Sequence, residues 1–382
     1  MKIAIINITG GGMSGGYRKY LRNVIPRMSK HPDVSAILCA SPASLNIKYW
    51  IEPLPNVKFV DCKPYRLFGY GNDSELNYKL KEFSPDVIFV PTERYFKFNG
   101  VPIVNMLQNM EPFVSGIDGN PFGERLKMLL LCIDAKRAII KADRIIAVSN
   151  FVKDFLMTSW GIQSDRIGVV YHGIDMNQEN NKVVRPNPIP NGCDNQFFFT
   201  AGSIRPARGI EDVLYAIKQL LDKSLDISGL IIAGETSPVM KKYRKRLEDW
   251  IKSQNLSSKI FWTGNLDESE MAWCYQNCYI FVMASRVESF GQIALEAMTH
   301  GCICVAADNP CLPEIFGDAA IYYPPKDYKA LTEAIKTVFS WDSYHRKEAS
   351  ERARKRAAEF SWAVCAEKTV TELKKAVEMF RG

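Results

Sequence analysis

Histidine is scarce in this chain of 382 residues: His31, His172, His300 and His345 are all there are. A zinc or haem centre built on imidazole would have little to draw on. The ten cysteines do not replace them. Cys302 and Cys304 share a strand run, Cys274 and Cys278 a helix. None shows metal-ligand or disulfide-framework spacing, so they read as small hydrophobes kept reduced. No Asp-x-Asp motif occurs. No apolar run approaches the roughly 20 residues that cross a bilayer; the longest, Met128-Leu-Leu-Leu-Cys-Ile133, stops at Asp134. The opening Met1–Ile8 is too short for a signal-peptide core with a cleavage site and reads as a first strand. The chain is therefore expected in the cytoplasm.

What is present suits a soluble globular protein, with 47% hydrophobic and 24% charged residues. Its length fits two domains better than one core. The net charge of +7 is uneven: residues 1–190 carry 24 basic against 17 acidic residues, and residues 191–382 carry 25 of each. A basic half suits an anionic partner or a membrane surface; a solvated face fits the same numbers. No nucleic acid is expected as a partner.

Strand and helix patterns alternate through residues 1–175, which predicts a parallel sheet covered on both faces. Residues 176–196, rich in Asn and Pro, read as a linker. A second alternation fills 197–362, and a last helix is expected over 363–382. Strand Arg144–Val148 runs into Ser149, a residue suited to cap a helix over Asn150–Trp160.

Three loops carry candidate chemistry. The first is Gly10-x-Gly12-x-x-Gly15, between a strand and a helix. It has the spacing of a dinucleotide fingerprint. The second strand ends Leu38-Cys39-Ala40-Ser41 without the acid a nicotinamide cofactor needs. The glycines could still let backbone N–H groups approach a phosphate, or simply make a tight turn. The second loop is Gly202-Ser-Ile-Arg205-Pro-Ala-Arg208-Gly209. Two guanidinium forks three residues apart can converge on one diphosphate, or be solvated. The third is Arg286-Val-Glu288-Ser289-Phe290-Gly291-Gln-Ile-Ala-Leu-Glu296. Ser289 and Gln292 have capping-box spacing, so the Phe290 and Gly291 amides at a helix start could face an anion. A capped surface helix with solvated acids is the alternative. Against it stands the apolar context of Glu288 and Glu296, where an unpaired carboxylate is costly.

The two glutamates eight positions apart resemble the Glu-x7-Glu motif of family 4 of the retaining glycosyltransferases, the GT-B type. Leu230-Ile-Ile-Ala-Gly-Glu235, Phe261-Trp-Thr-Gly264-Asn-Leu266 and Pro313-Glu314 follow in that family's order, and Tyr171-His-Gly-Ile-Asp175 is similar to its hinge pattern. The resemblance implies an α/β chain of two Rossmann-like domains facing across a cleft, with the last helix packed back on the first. It implies a nucleotide-diphosphate sugar as co-substrate, with no other cofactor and no metal. Arg205, Arg208, Gly264, Leu266, Glu288, Ser289, Phe290, Gly291 and Glu296 would hold the donor, Glu296 through its ribose. Gly11 and Gly12 would face donor phosphates and acceptor. The acceptor would be a glycan or lipid-linked glycan of surface polysaccharide biosynthesis, with peripheral contact at the inner face of the membrane. Arg208 stands where the family usually has lysine. Many members also carry a histidine near the end of the fourth strand; Val104-Asn-Met-Leu-Gln108-Asn109-Met-Glu111 has none. Gln108 and Asn109, with Glu288, are then the catalytic candidates, although an amide cannot serve as acid or base. A nucleotide-sugar epimerase or a catalytically weak scaffold homologue are the competing readings.

Overall fold

Short apolar strands alternating with helices fold this chain into two parallel α/β units. The computed structural model describes residues 1–9, 15–69, 73–114, 119–176, 183–187, 189, 197–225 and 227–382. One unit comprises Met1–Phe113, Lys127–Gly173 and Phe360–Gly382; the other comprises Val114–Leu126 and Ile174–Glu359. Residues 114–126 thus group with the second unit, whereas the sequence reading placed them in the first domain. The contact at Gly119 shows why: a Cβ there would lie 3.2 Å from Pro206 and 3.3 Å from Arg246.

In chain order the first unit has β1 (Lys2–Ile6), α1 (Gly15–Ser29), β2 (Ala36–Pro42), β3 (Val57–Cys62), α2 (Ser74–Phe83), β4 (Val87–Val90) and β5 (Ile103–Leu107). Then follow α3 (Phe122–Lys141), β6 (Arg144–Ala147), α4 (Asn150–Trp160) and β7 (Ile167–Val169). Helix α3 starts in residues grouped with the second unit. The strands lie in the order β3-β2-β1-β4-β5-β6-β7, all pairs parallel. Helices on both faces explain why Val87–Val90 is buried throughout rather than on alternate residues. The edge strand β3 differs: Lys58 and Asp61 are exposed beside the buried Val60. Pattern reading passed over β3 and the polar α2 for that reason. Ser149 caps α4, its Oγ accepting from Val152 N at 3.2 Å.

The second unit runs β8 (Phe197–Ala201), α5 (Ile210–Asp222), β9 (Gly229–Ala233), α6 (Lys241–Ser253), β10 (Ile260–Gly264) and α7 (Glu268–Asn277). It continues with β11 (Cys278–Met283), α8 (Gln292–Thr299), β12 (Cys304–Ala307), α9 (Leu312–Phe316), β13 (Ala320–Tyr323), α10 (Tyr328–Phe339) and α11 (Ser343–Ala357). Its sheet is β10-β9-β8-β11-β12-β13, again parallel. Val213, Leu214 and Ile217 of α5 pack with Ile335 and Val338 of α10 over one sheet face. In both sheets the strand order reverses direction beside the first strand, between β1 and β4 and between β8 and β11. Loops leaving the carboxyl ends of such a pair part from each other and open a crevice.

The chain ends in α12 (Trp362–Arg381), which belongs to the first unit. It buries Trp362, Cys365, Ala366, Thr369, Val370, Leu373 and Ala376 at helical spacing. Its anchor is an ion pair: Glu372 lies 2.5 Å from Arg144 of β6, both side chains under 10% exposed. Gly168 makes room, since a Cβ there would sit 2.2 Å from the Glu372 carboxylate. Gly173 does the same for Trp362, whose backbone N would be 2.1 Å from an added Cβ. Replacing Glu372 with alanine strands a buried guanidinium, which costs about 3 kcal/mol or more. Glu372→Ala should therefore lower the urea midpoint of the first unit clearly, while Lys374→Ala, at an exposed pair with Asp33, should leave it within about 0.5 kcal/mol.

Candidate functional site

Glycines set the geometry at the carboxyl edge of the second sheet. Gly202, Gly234 and Gly264 follow or end β8, β9 and β10 with φ of +133°, +145° and +72°. Their backbones are laced together: Gly202 N donates to Ala233 O at 2.9 Å, Gly234 N to Gly264 O at 2.7 Å, and Ile204 N to Glu235 O at 2.9 Å. A Cβ on Gly234 would lie 1.8 Å from the Gly202 carbonyl oxygen. Only glycine allows these loops to approach so closely. Leu266, two residues past Gly264, is half-buried.

After β8 the backbone of Arg205 is extended, with φ −160° and ψ 160°, and a single 3-10 turn, Pro206–Arg208, follows it. Gly209 then takes φ +62° as the N-cap of α5, where a Cβ would come 2.1 Å from the Ala284 carbonyl oxygen. This sharp turn leaves Arg208 beside the loop that follows β11. Its guanidinium forms an ion pair with Glu288 and donates to Ser285 Oγ at 3.2 Å. The Arg208 side chain lies over Gly202, its Nε 3.1 Å and its Cδ 3.2 Å from where a Cβ would be. The residues predicted from two separate motifs are thus joined across the β8–β11 switch point. Arg205 is half-buried on the same loop.

A second ion cluster fixes the β11 loop. Arg286 donates to Asp212 Oδ1 at 3.0 Å and its backbone N donates to Ala207 O at 2.8 Å. Asp212 also accepts from Lys326 N at 3.1 Å. Burial pushes the Asp212 carboxyl above its usual range, and Arg286 works against that shift. Asp212 and Arg286 were not singled out by sequence reading. The signal lay in an acid in the first turn of a helix, which reads equally well as a dipole partner.

The expected capping box at Ser289 does not form. Helix α8 starts at Gln292, and Gly291, in the left-handed region at φ +94°, is its N-cap without a side-chain bond. Capping falls to the residue able to adopt that φ, two positions later than the Ser/Gln spacing suggested. Phe290 is buried, and its carbonyl accepts from Cys311 Sγ at 3.2 Å, so it pins the turn. Glu296 sits in the second turn of α8. Its Oε2 accepts from Tyr275 OH at 3.2 Å, and Tyr275 stacks on His300 with centroids 5.5 Å apart. Burial, with Glu296 adding to it, holds the Tyr275 phenol well above its usual pKa. Tyr275 therefore remains a donor and orients Glu296.

Gly11 and Gly12 lie outside the described residues. In the first unit Gln108, just past β5, donates from Nε2 to Pro91 O at 2.9 Å. Asn109 is exposed, and its Oδ1 accepts from Glu111 N at 3.0 Å, a local turn. Beside Gln108 is a residue that pattern reading missed: Glu93, buried just after β4. Burial raises its carboxyl pKa, with Arg94 and the Gln108 backbone N–H opposing. Its signal was an acid three residues past an apolar strand, indistinguishable by pattern from a loop carboxylate. Gly209→Ala tests the frame of the second unit. It combines left-handed strain with a backbone clash, and should cost about 2 kcal/mol or more in chemical denaturation, against little change for Gly123→Ala, where a Cβ meets nothing within 4 Å.

Comparison with known proteins fits this geometry. The family described as Glycosyl transferases group 1 matches residues 186–356, and Glycosyltransferase Family 4 matches residues 14–178. The chain is 22% identical over 346 residues to the O-antigen chain mannosyltransferase RfbU of Salmonella typhimurium, covering 87% of this chain and 90% of that one. It is 25% identical over 232 residues to the serotype-specific mannosyltransferase WbdA of Escherichia coli, covering 58% of this chain and 28% of that one. Among solved structures, Anabaena HepE in complex with UDP and glucose aligns with a TM-score of 0.72 at 19% identity, over 98% of this chain and 100% of that one. With one glycosyltransferase family profile on each parallel sheet, together spanning most of the chain, and the two-sheet fold shared with HepE over nearly its whole length, this chain belongs to family 4 of the glycosyltransferases, of the GT-B type.

Proposed function

We propose that this glycosyltransferase is a retaining enzyme that takes a hexose from a nucleotide-diphosphate sugar and adds it to a glycan or lipid-linked glycan of surface polysaccharide biosynthesis. The observation that carries the reading is the meeting of Arg208 and Glu288 at the β8–β11 switch point, with Arg205 on the same loop. In this reading the ion pair holds Arg208 ready, and the donor diphosphate takes up its charge. Gln108 and Asn109 are assigned to sugar hydroxyls, and Gly11 and Gly12 to the donor phosphates. Glu296, oriented by Tyr275, accepts the ribose hydroxyls, and Gly264 and Leu266 border the base. Catalysis comes from positioning and from guanidinium stabilisation of the departing diphosphate, without a divalent metal. The relatives named mannosyltransferases support a hexose and a polysaccharide acceptor. The UDP in the HepE complex supports a nucleoside-diphosphate leaving group.

A thermal-shift panel of UDP-, GDP- and ADP-sugars should single out one nucleotide, because binding to the folded state raises its apparent stability. Arg205→Ala and Glu296→Ala should each weaken that nucleotide about 10- to 100-fold, the worth of one charge-assisted hydrogen bond. Unchanged affinity in both variants would sink the assignment. Transfer should persist in EDTA, and the product anomer, read from its one-bond carbon–proton coupling, should match the donor. An inverted anomer would remove the retaining mechanism, and nucleotide binding with no turnover on any glycan would favour a scaffold role.

A further inference from the structure

Three neighbouring strands of the first sheet end in polar side chains. Asn7 follows β1, Thr92 and Glu93 follow β4, and Gln108 follows β5. Asn7 is fully buried, Thr92 is 9% exposed and Glu93 8%. Buried polar groups are costly unless partnered. β1 and β4 are also the strands between which this sheet reverses its order, the place where open α/β sheets take ligands.

The turn that carries Thr92 and Glu93 is clamped from β5. Asn105 lies inside that strand, 1% exposed, and its Nδ2 donates to the carbonyls on either side of Glu93, Thr92 O and Arg94 O, each at 2.9 Å. A buried amide in an otherwise apolar strand is thus committed to the backbone around one residue. The adjacent cation is directed elsewhere: Arg94 lies 3.6 Å from Asp134 and over the Tyr65 ring at 5.5 Å. Tyr17, within electrostatic reach of Glu93, gives its hydroxyl proton to Asn7 Oδ1 at 2.9 Å. The Glu93 carboxylate accepts its own backbone N–H and that of Gln108, whereas a carboxylate offers about four acceptor sites. Beside it, Thr92 Oγ1 is buried with no hydrogen-bond partner among the described residues. An orphaned buried hydroxyl costs stability and calls for a partner from outside the chain. A carboxylate with open acceptor sites repels phosphate and accepts from hydroxyl groups. The neighbouring hydroxyls of a pyranose ring present donor and acceptor side by side, as Glu93 and Thr92 do.

We infer that Thr92 and Glu93 bind hydroxyl groups of the acceptor sugar and so select which neutral pyranoside the first unit holds. Calling that sugar the acceptor rests on the transfer proposed above, in which the arginines of the second unit hold the donor diphosphate. The full chain should be titrated with the methyl α-pyranosides of mannose, glucose, galactose and N-acetylglucosamine, with binding read by saturation-transfer NMR. At least one should bind the wild type. Glu93→Gln should weaken it about tenfold or more, the worth of hydrogen bonds to a charged group. Thr92→Val, which removes the hydroxyl with little change of shape, should weaken it about 3- to 10-fold while melting no lower than wild type. A structural hydroxyl would do the reverse, lowering the melting temperature and leaving binding alone. Burial raises the Glu93 carboxyl pKa, with Asp134 of α3 adding and Arg94 opposing. Binding should therefore fall as pH drops, starting above the ordinary carboxylate range, because a protonated carboxyl loses an acceptor; Glu93→Gln should remove that dependence. Wild-type binding in either folded variant would overturn the inference, and Thr92→Val decides it if Glu93→Gln does not fold. No pyranoside bound by the wild type would overturn it too. So would loss of nucleotide-sugar affinity in Glu93→Gln with free nucleotide unaffected, which would put Glu93 on the donor hexose. Failure of the proposed transfer looks different: no nucleotide sugar binds, while pyranoside binding that depends on Glu93 stands.

Discussion

A guanidinium held against a sheet edge needs a counter-charge, and the second sheet is arranged around that constraint. Arg208 cannot lie against a sheet edge as an uncompensated charge without a desolvation cost of several kcal/mol. Glu288 supplies the counter-charge from the neighbouring loop. The pairing requires β8 and β11 to be adjacent though distant in sequence, as the reversal of strand order at that point makes them. It also requires a turn at Gly209 tight enough to return the chain to α5 against Ala284. Strand order, glycine placement and charge pairing are thus parts of one requirement.

Other buried ion pairs hold the frame of each unit. Arg286 and Asp212 tie the β11 loop to the start of α5, fixing Glu288 two residues further on. Arg144 and Glu372 seat α12 on the first sheet. Asp134 gathers the Tyr65 hydroxyl, the Phe68 amide and Arg94. Each pair joins segments that no local sequence pattern connects, and each would be costly to break from one side only. Buried charge specifies these contacts more narrowly than apolar packing could, because a shifted register would leave a carboxylate or guanidinium unmatched.

What could be read from the residues follows this division between local and non-local. The parallel strands were legible because burial on both faces produces uninterrupted apolar runs such as Val87–Val90. The helix after Ser149 was legible because a cap is a four-residue signal. Strand β3 was hidden by its mixed edge pattern and α8 began later than expected, because a left-handed glycine outcompeted a serine cap. Of the site, the arginines and glutamates were visible as motifs, but their pairing was not, and Glu93 and Tyr275 carried no pattern of their own.

The equivalent edges of the two sheets differ in chemistry. The second presents guanidinium groups and glycine-opened loops, suited to anionic phosphate. In the first, Asn7 at the end of β1 accepts from Tyr17 OH at 2.9 Å, Gln108 is tied to Pro91, and Glu93 is buried with its carboxyl pKa raised. Amides, a phenol and a carboxyl that takes up a proton more readily than usual are suited to neutral hydroxyl groups rather than to phosphate. The proposed transfer calls for both kinds of chemistry: cations for a departing diphosphate and neutral polar groups for an attacking hydroxyl. The scarcity of histidine then carries little weight against activity. In the proposed reading, leaving-group charge is met by guanidinium, which no pH near neutrality removes, and the hydroxyl's surroundings need supply position more than basicity.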